Sequence, residues 1–114
     1  DQCKAVNIRT TGELQDTAAN NNMTFVNCRV ETASTIDGDN HKFTNCDFVG
    51  GATVASGADN NGFVDCQFGA DAGGGTLTLT INATSNNTRV ASCMSDAAIV
   101  DNGTGTVTAA NVVY

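Results

Sequence analysis

The sequence has no proline, no tryptophan, one tyrosine and one histidine, and only five Lys and Arg against twelve Asp and Glu. Each scarcity excludes something. Five scattered cations in a chain of net charge -7 cannot build a basic patch. A nucleic-acid binder needs one, because phosphate neutralisation supplies most of its affinity. The same deficit argues against anionic membrane surfaces. No apolar run approaches the roughly 18 residues of a bilayer-spanning helix. No Cys-x-x-Cys pair offers a metal site, and five Cys is an odd number for a disulfide scaffold. We therefore expect no nucleic acid, no membrane and no cofactor. With neither an initiator Met nor a leader-like segment, the chain reads as processed or as cut from something longer.

What is present is Asn, Thr and twelve Gly in a chain of 114 residues, enough for one domain and one core over 1–114. Asn, Thr and Gly are poor helix formers that favour turns and strands. Only Gly12 to Ala19 reads at all like a helix, and it is short. A repeat runs through the rest. Phe25-Val26-Asn27-Cys28-Arg29-Val30 matches Phe43-Thr44-Asn45-Cys46-Asp47-Phe48 and Phe63-Val64-Asp65-Cys66-Gln67-Phe68. Val90 to Ser95 is a weaker copy, and Ala109 to Tyr114 a last one. The turn residues of the repeat are then Asn7, Asn27, Asn45, Asp65, Ser92 and Asn111, at steps of 20, 18, 20, 27 and 19 residues. The long step holds a Gly- and Ala-rich surface loop over 69–75.

Steps near 20 suit one coil of three short strands and three turns. Side chains alternate along a strand, so the first Phe of Phe-x-Asn-Cys-x-Phe points inward. The turn at Asn resets the phase and sends Cys and the second Phe inward too. Asn tolerates the left-handed conformation this corner needs, and its amide can bond the Asn of the next coil. Like then stacks on like. Phe25, Phe43 and Phe63 form one column. Ile8, Cys28, Cys46, Cys66, Cys93 and Val112 form a second, and Val30, Phe48 and Phe68 a third. The Cys act as small, reduced core residues. A second register places Asn22, Asn40, Asn60 and Asn87 three residues before the Phe slot. A further apolar slot holds Leu14, Ile36, Val54, Ile81 and Ile99. In the final coil, Val107 could replace Ala109 in the Phe slot. The fold class is all-β: a single-stranded right-handed parallel β-helix, or solenoid, of about six short coils.

The motif Asn-x-x-Phe-x-Asn-Cys-x-Phe resembles the coils of right-handed parallel β-helix proteins of the pectate-lyase-like class. The stretches Asn86 to Val90 and Ile99 to Val107 are similar to the closing coils of bacteriophage tail-spike and virion-surface β-helices. That resemblance implies a virion-surface location, with an extracellular or cell-surface site as the alternative.

No residue set stands out as catalytic. A glycan hydrolase on this scaffold needs clustered carboxylates, and a lyase needs a basic residue, often with calcium. Arg9 and Arg29 stack after the tight turn with Asp47 next. They form either a stripe that meets a partner or host glycan, or a solvated strand edge. Asp37-Gly38-Asp39-Asn40 looks faintly like a calcium loop but lacks the full ligand set, and is expected to be a turn. His41 is expected at the surface. Thr76 to Ile81 alternates as a strand whose Thr face meets solvent or a partner. Asn22, Asn82, Asn86 and Asn102 match the glycosylation sequon, and in so Asn-rich a chain they read as turn residues.

We expect no enzyme. The leading expectation is a structural or adhesive virion module, in a capsid decoration, head fibre or tail fibre, contacting other virion proteins. The alternatives are a glycan-binding or glycan-cleaving domain, or an adhesin or surface-filament subunit. No obvious cap covers the solenoid ends, which points to a homotrimer. Its contacts would lie around Thr76 to Ile81 and Val107 to Tyr114.

Overall fold

The computed structural model describes residues 3–10, 14, 16–69 and 77–113. Among these there is no helix, and every strand is four residues or shorter. In chain order, the first coil supplies β1 (Cys3–Val6) and β2 (Arg9–Thr10). The second supplies β3 (Met23–Val26), β4 (Arg29–Val30) and β5 (Ser34–Ile36). The third supplies β6 (Lys42–Thr44), β7 (Asp47–Phe48) and β8 (Ala52–Val54). The fourth supplies β9 (Gly62–Val64), β10 (Gln67–Phe68) and β11 (Leu79–Ile81). The fifth supplies β12 (Arg89–Ala91), β13 (Met94–Ser95) and β14 (Val100–Asp101). The last supplies β15 (Val107–Ala109) and β16 (Val112–Val113).

The strands stack into three parallel sheets. The first runs β1-β3-β6-β9-β12-β15, the second β2-β4-β7-β10-β13-β16, and the third β5-β8-β11-β14. The protein is a parallel β-solenoid. Its first and last coils lack a third strand among the described residues, so it makes about five full turns where six coils were expected.

The corner between the first two sheets is left-handed in every coil. Asn7, Asn27, Asn45, Asp65 and Ser92 take φ of 56, 54, 51, 54 and 54°. Asn27 Nδ2 donates to Asn7 Oδ1 at 3.1 Å, and Asn45 Nδ2 to Asn27 Oδ1 at 2.7 Å. A second left-handed corner precedes the first sheet, at Asn22, Asn40, Asn60 and Asn87, with φ from 57 to 62°. There Asn87 Nδ2 reaches Asn60 Oδ1 at 3.2 Å.

The last coil corrects the expected register. Ala91 pairs with Ala109, which places Ala110, not Asn111, at the corner with φ 54°. Asn111 therefore takes the Cys slot, and Val112 pairs with Met94 on the outer face rather than ending the Cys column. Thr108, opposite Val90, fills the Phe slot that Val107 or Ala109 was expected to fill. Strand pairing decides the register, and it overrides the likeness of Asn-Val-Val to Asn-Cys-x.

The core lies in the middle coils. Phe25, Phe43 and Phe63 stack with centroids 4.8 and 4.9 Å apart. Phe48 stacks on Phe68 at 5.4 Å and meets Phe43 edge-on. Spacings near the inter-strand distance follow from parallel pairing of equal side chains. Burying each Phe contributes roughly 1.5–3 kcal/mol. Ile36, Val54, Leu79 and Ile81 close the opposite wall.

Some expectations fall on residues outside the described set. Of the 69–75 loop only Gly69 is described, and of Thr76 to Ile81 all but Thr76. Of Gly12 to Ala19, positions 12, 13 and 15 lie outside, and Thr17 to Asn20 forms a turn closed by an Asn20 N–H to Thr17 C=O bond of 2.9 Å. Thr80 aligns with Thr53, and Thr53 with Thr35, on the third sheet, so one outward Thr recurs in successive coils.

Candidate functional site

The alternation that buries Phe43 also buries the residue two before it. His41 is 1% exposed, which corrects its expected surface position. Its Nδ1 accepts the Met23 N–H at 3.1 Å, so its Nε2 carries the proton and donates to Asp16 Oδ2 at 2.9 Å. The same oxygen accepts the N–H groups of Asp37 at 2.9 Å and Gly38 at 2.7 Å. The Asp16 side chain is only 4% exposed. Burial pushes its pKa up, but the Gly38 and Asp37 amides and His41 outweigh burial and hold the carboxyl below its ordinary value.

This pair fastens three coils together. Both ring nitrogens of His41 are taken by structural partners, and the ring is shut away from solvent. A general base must reach the proton it abstracts, and His41 has no free nitrogen to do so. Gly38 is required here, because a Cβ would lie 1.7 Å from the Asn20 carbonyl oxygen. The Asp37 to Asn40 turn aims N–H donors at a carboxylate, the reverse of what a cation site presents.

Polar groups continue from coil to coil. His41 N–H donates to Asn61 Oδ1 at 2.8 Å, and Asn61 Nδ2 to Gly38 C=O at 3.0 Å. At the neighbouring corner, Asn21 Oδ1 accepts Asp39 N–H, Asp39 Oδ1 accepts Asp59 N–H, and Asp59 Oδ1 accepts Asn86 N–H, at 2.7–2.8 Å. Each side chain stitches its coil to the next.

The Arg stripe is paired within the chain. Arg9 and Arg29 both bond Glu31 Oε1 at 2.9 Å through Nε, and Arg29 also bonds Asp47. Arg29, then Arg9, holds Glu31 below the usual carboxylate range. The outer face of the second sheet thus carries a network of two cations and two anions. Glu31 lies two residues after Arg29 and outside the repeat slots, so slot matching alone did not find it.

Cys28, Cys46, Cys66 and Cys93 are free and buried. Each thiol donates to the carbonyl two residues before it and to one in the preceding coil, as Cys66 does to Val64 and Phe43 at 3.4 Å. Burial pushes the Cys28 thiol up. Cys46 and Cys93, together with burial, push Cys66 up strongly. The bond with Cys66 holds Cys46 and Cys93 below the ordinary thiol value, so protonation does not decide the role of the column. Burial of all four side chains in register within the core does, and they pack as small apolar residues.

Asn111 ends this column. Its Oδ1 accepts Cys93 N–H at 2.8 Å and its Nδ2 donates to Val90 C=O at 3.1 Å. In the preceding coil a thiol makes both contacts: Cys93 Sγ accepts Cys66 N–H and donates to Phe63 C=O. The amide takes the place of the thiol and presents a polar group where the core stops. Among the described residues, no three His, Cys, Asp or Glu converge as a metal site. Comparison with protein-family models, curated proteins and solved structures finds no match to this chain.

Proposed function

We propose that the chain is a non-enzymatic structural module of a virion surface, of the capsid-decoration, head-fibre or tail-fibre kind, working as a homotrimer beside other virion proteins. One observation carries this reading. The side chains best suited to chemistry are committed to holding coil on coil: His41 with Asp16, Asp39 with Asp59, and Arg9 and Arg29 with Glu31 and Asp47. A short, rigid solenoid stitched in this way suits load and spacing rather than turnover. The virion setting draws on the resemblance of the closing coils.

The test has two arms. Particles from the source should carry the protein at stoichiometric levels when banded on a density gradient. The purified protein should show no turnover of acidic or neutral polysaccharides, with or without calcium. Turnover abolished by replacing a pair of Asp residues would overturn the reading.

A further inference from the structure

Three of the chain's five cations share one column. Strand register sets Lys4, Thr24, Lys42, Gly62 and Arg89 side by side on the outer face of the first sheet. The other two cations, Arg9 and Arg29, are paired with Glu31 and Asp47 on the second sheet. Lys42 and Arg89 are exposed, and among the described residues neither forms an ion pair. In the fourth coil, Asp59 and Asp65 lie beyond the two ends of β9, and Asp59 Oδ1 already accepts the Asn86 N–H.

Between these two cations the wall has a gap. Gly62 is the one glycine in any described strand. Neither the backbone nor the packing asks for it. Its φ lies outside the left-handed region, and a Cβ there would meet only the His41 carbonyl oxygen, at 3.9 Å. Glycine weakens a strand, and where the fold does not need it, it marks a place that something else approaches closely. The missing side chain leaves a groove of about 310 Å³ bounded by Lys42, Arg89, Val64 and the amides of Asn60 and Asn87. Asn60 Oδ1 accepts Asn87 Nδ2 at 3.2 Å, and the Asn60 side-chain N–H groups bond no other described residue.

We propose that this notch binds a sugar acid, with the carboxylate seated over Gly62 between Lys42 and Arg89. The two cations stand two strand spacings apart, about 9.6 Å, and their long side chains can both turn onto one anionic group above the missing side chain. Charge-assisted bonds from an ammonium and a guanidinium suit a carboxylate. The net charge of -7 repels a densely charged polyanion, so the ligand carries little charge on a larger neutral body. The rest of the lining selects that body. The Asn amides can pair with hydroxyls, and Val64 offers an aliphatic surface to the C–H face of a ring. A peptide adding as a strand would need an open sheet edge, and β9 is paired on both sides. The site does not depend on the virion setting.

The experiment is an NMR titration of the whole 15N-labelled chain with glucuronate, set against glucose, inorganic phosphate and a tri-glutamate peptide. Glucuronate should shift the backbone amides of Lys42, Gly62 and Arg89 and the side-chain amide of Asn60. Glucose lacks the charge, and phosphate and tri-glutamate lack the hydroxylated ring, so each should bind about tenfold or more weakly. Gly62→Thr fills the notch with the residue that the second coil carries in this column, Thr24, and keeps every charge. It should fold at least as stably in a thermal melt, yet weaken glucuronate binding by about tenfold or more. Arg89→Gln keeps the shape, removes one charge and should weaken binding by a similar factor. No binding of glucuronate, a competitor that binds as tightly, or either folded variant binding normally would each overturn the site.

Discussion

In the third and fourth coils the inward slots hold Phe43, Phe48, Phe63 and Phe68, each 1% exposed or less. In the last coil the matching slots hold Thr108 and Val113, and Val113 is 50% exposed. The backbone plan is the same in both places, down to the left-handed corner. A repeat thus sets the path of the chain, while slot chemistry sets how much each coil contributes to stability and which coil remains free to meet something else. The sharpest way to break this comparison is to truncate one slot in both regions. Phe63→Ala should cost about 3–5 kcal/mol, as expected for a buried aromatic. Thr108→Ala, in the same column, should cost less than about 0.5 kcal/mol. Urea unfolding reads both. Similar losses would mean that the core extends evenly to the end.

The first coil is held differently again, by Asp16 and His41 rather than by stacked rings. Asp16→Asn should destabilise by roughly 1–3 kcal/mol, because the amide cannot take all three donors as an anion does. The pH dependence follows from the depressed folded-state pKa of Asp16. A carboxyl lowered by folding stabilises fully above its unfolded pKa, about 3.9. That contribution fades as pH falls below about 4 and through the folded value. Melting temperature against pH should therefore drop more steeply in acid for the wild type than for Asp16→Asn. Parallel curves would show that Asp16 is not the group being titrated.

At the ladder, Asn45 donates to Asn27 with φ 51°. Asn45→Val should cost roughly 1–3 kcal/mol, since a β-branched residue is strained there and the ladder bond is lost. Asn45→Gly should cost less, because it keeps the backbone comfortable. Equal melting temperatures for the two variants would contradict a left-handed corner at Asn45.

Much of the middle of the molecule was legible because its signals are local and repeated. Phe-x-Asn-Cys-x-Phe states a corner, two inward slots and a coil length within six residues. The last coil was misread by one position because Asn111-Val112 mimics Asn-Cys-x while the real corner, Ala110, carries no corner signal. Only the pairing of Ala91 with Ala109 reveals it. His41 was legible in principle, lying two residues before the inward Phe43, but a lone polar residue invites a surface assignment. Its partner Asp16 lies 25 residues away, and no spacing rule links them. Arg9 and Arg29 align in register on the second sheet, yet the Glu31 that joins them sits outside the slots being compared.

The smallest effect is expected at Ala110, and it tests the strain of a left-handed corner that lacks Asn. An L-residue other than Asn or Gly in the left-handed region costs about 1–2 kcal/mol. Ala110→Gly removes that strain but returns about 0.5–1 kcal/mol as extra freedom in the unfolded chain. The net change should be a stabilisation below about 1 kcal/mol. Ala110→Asn should stabilise the isolated chain by a similar amount, because Asn accepts this backbone. Thermal melts should rise for both. If neither variant raised the melt, Ala110 would not be carrying strain.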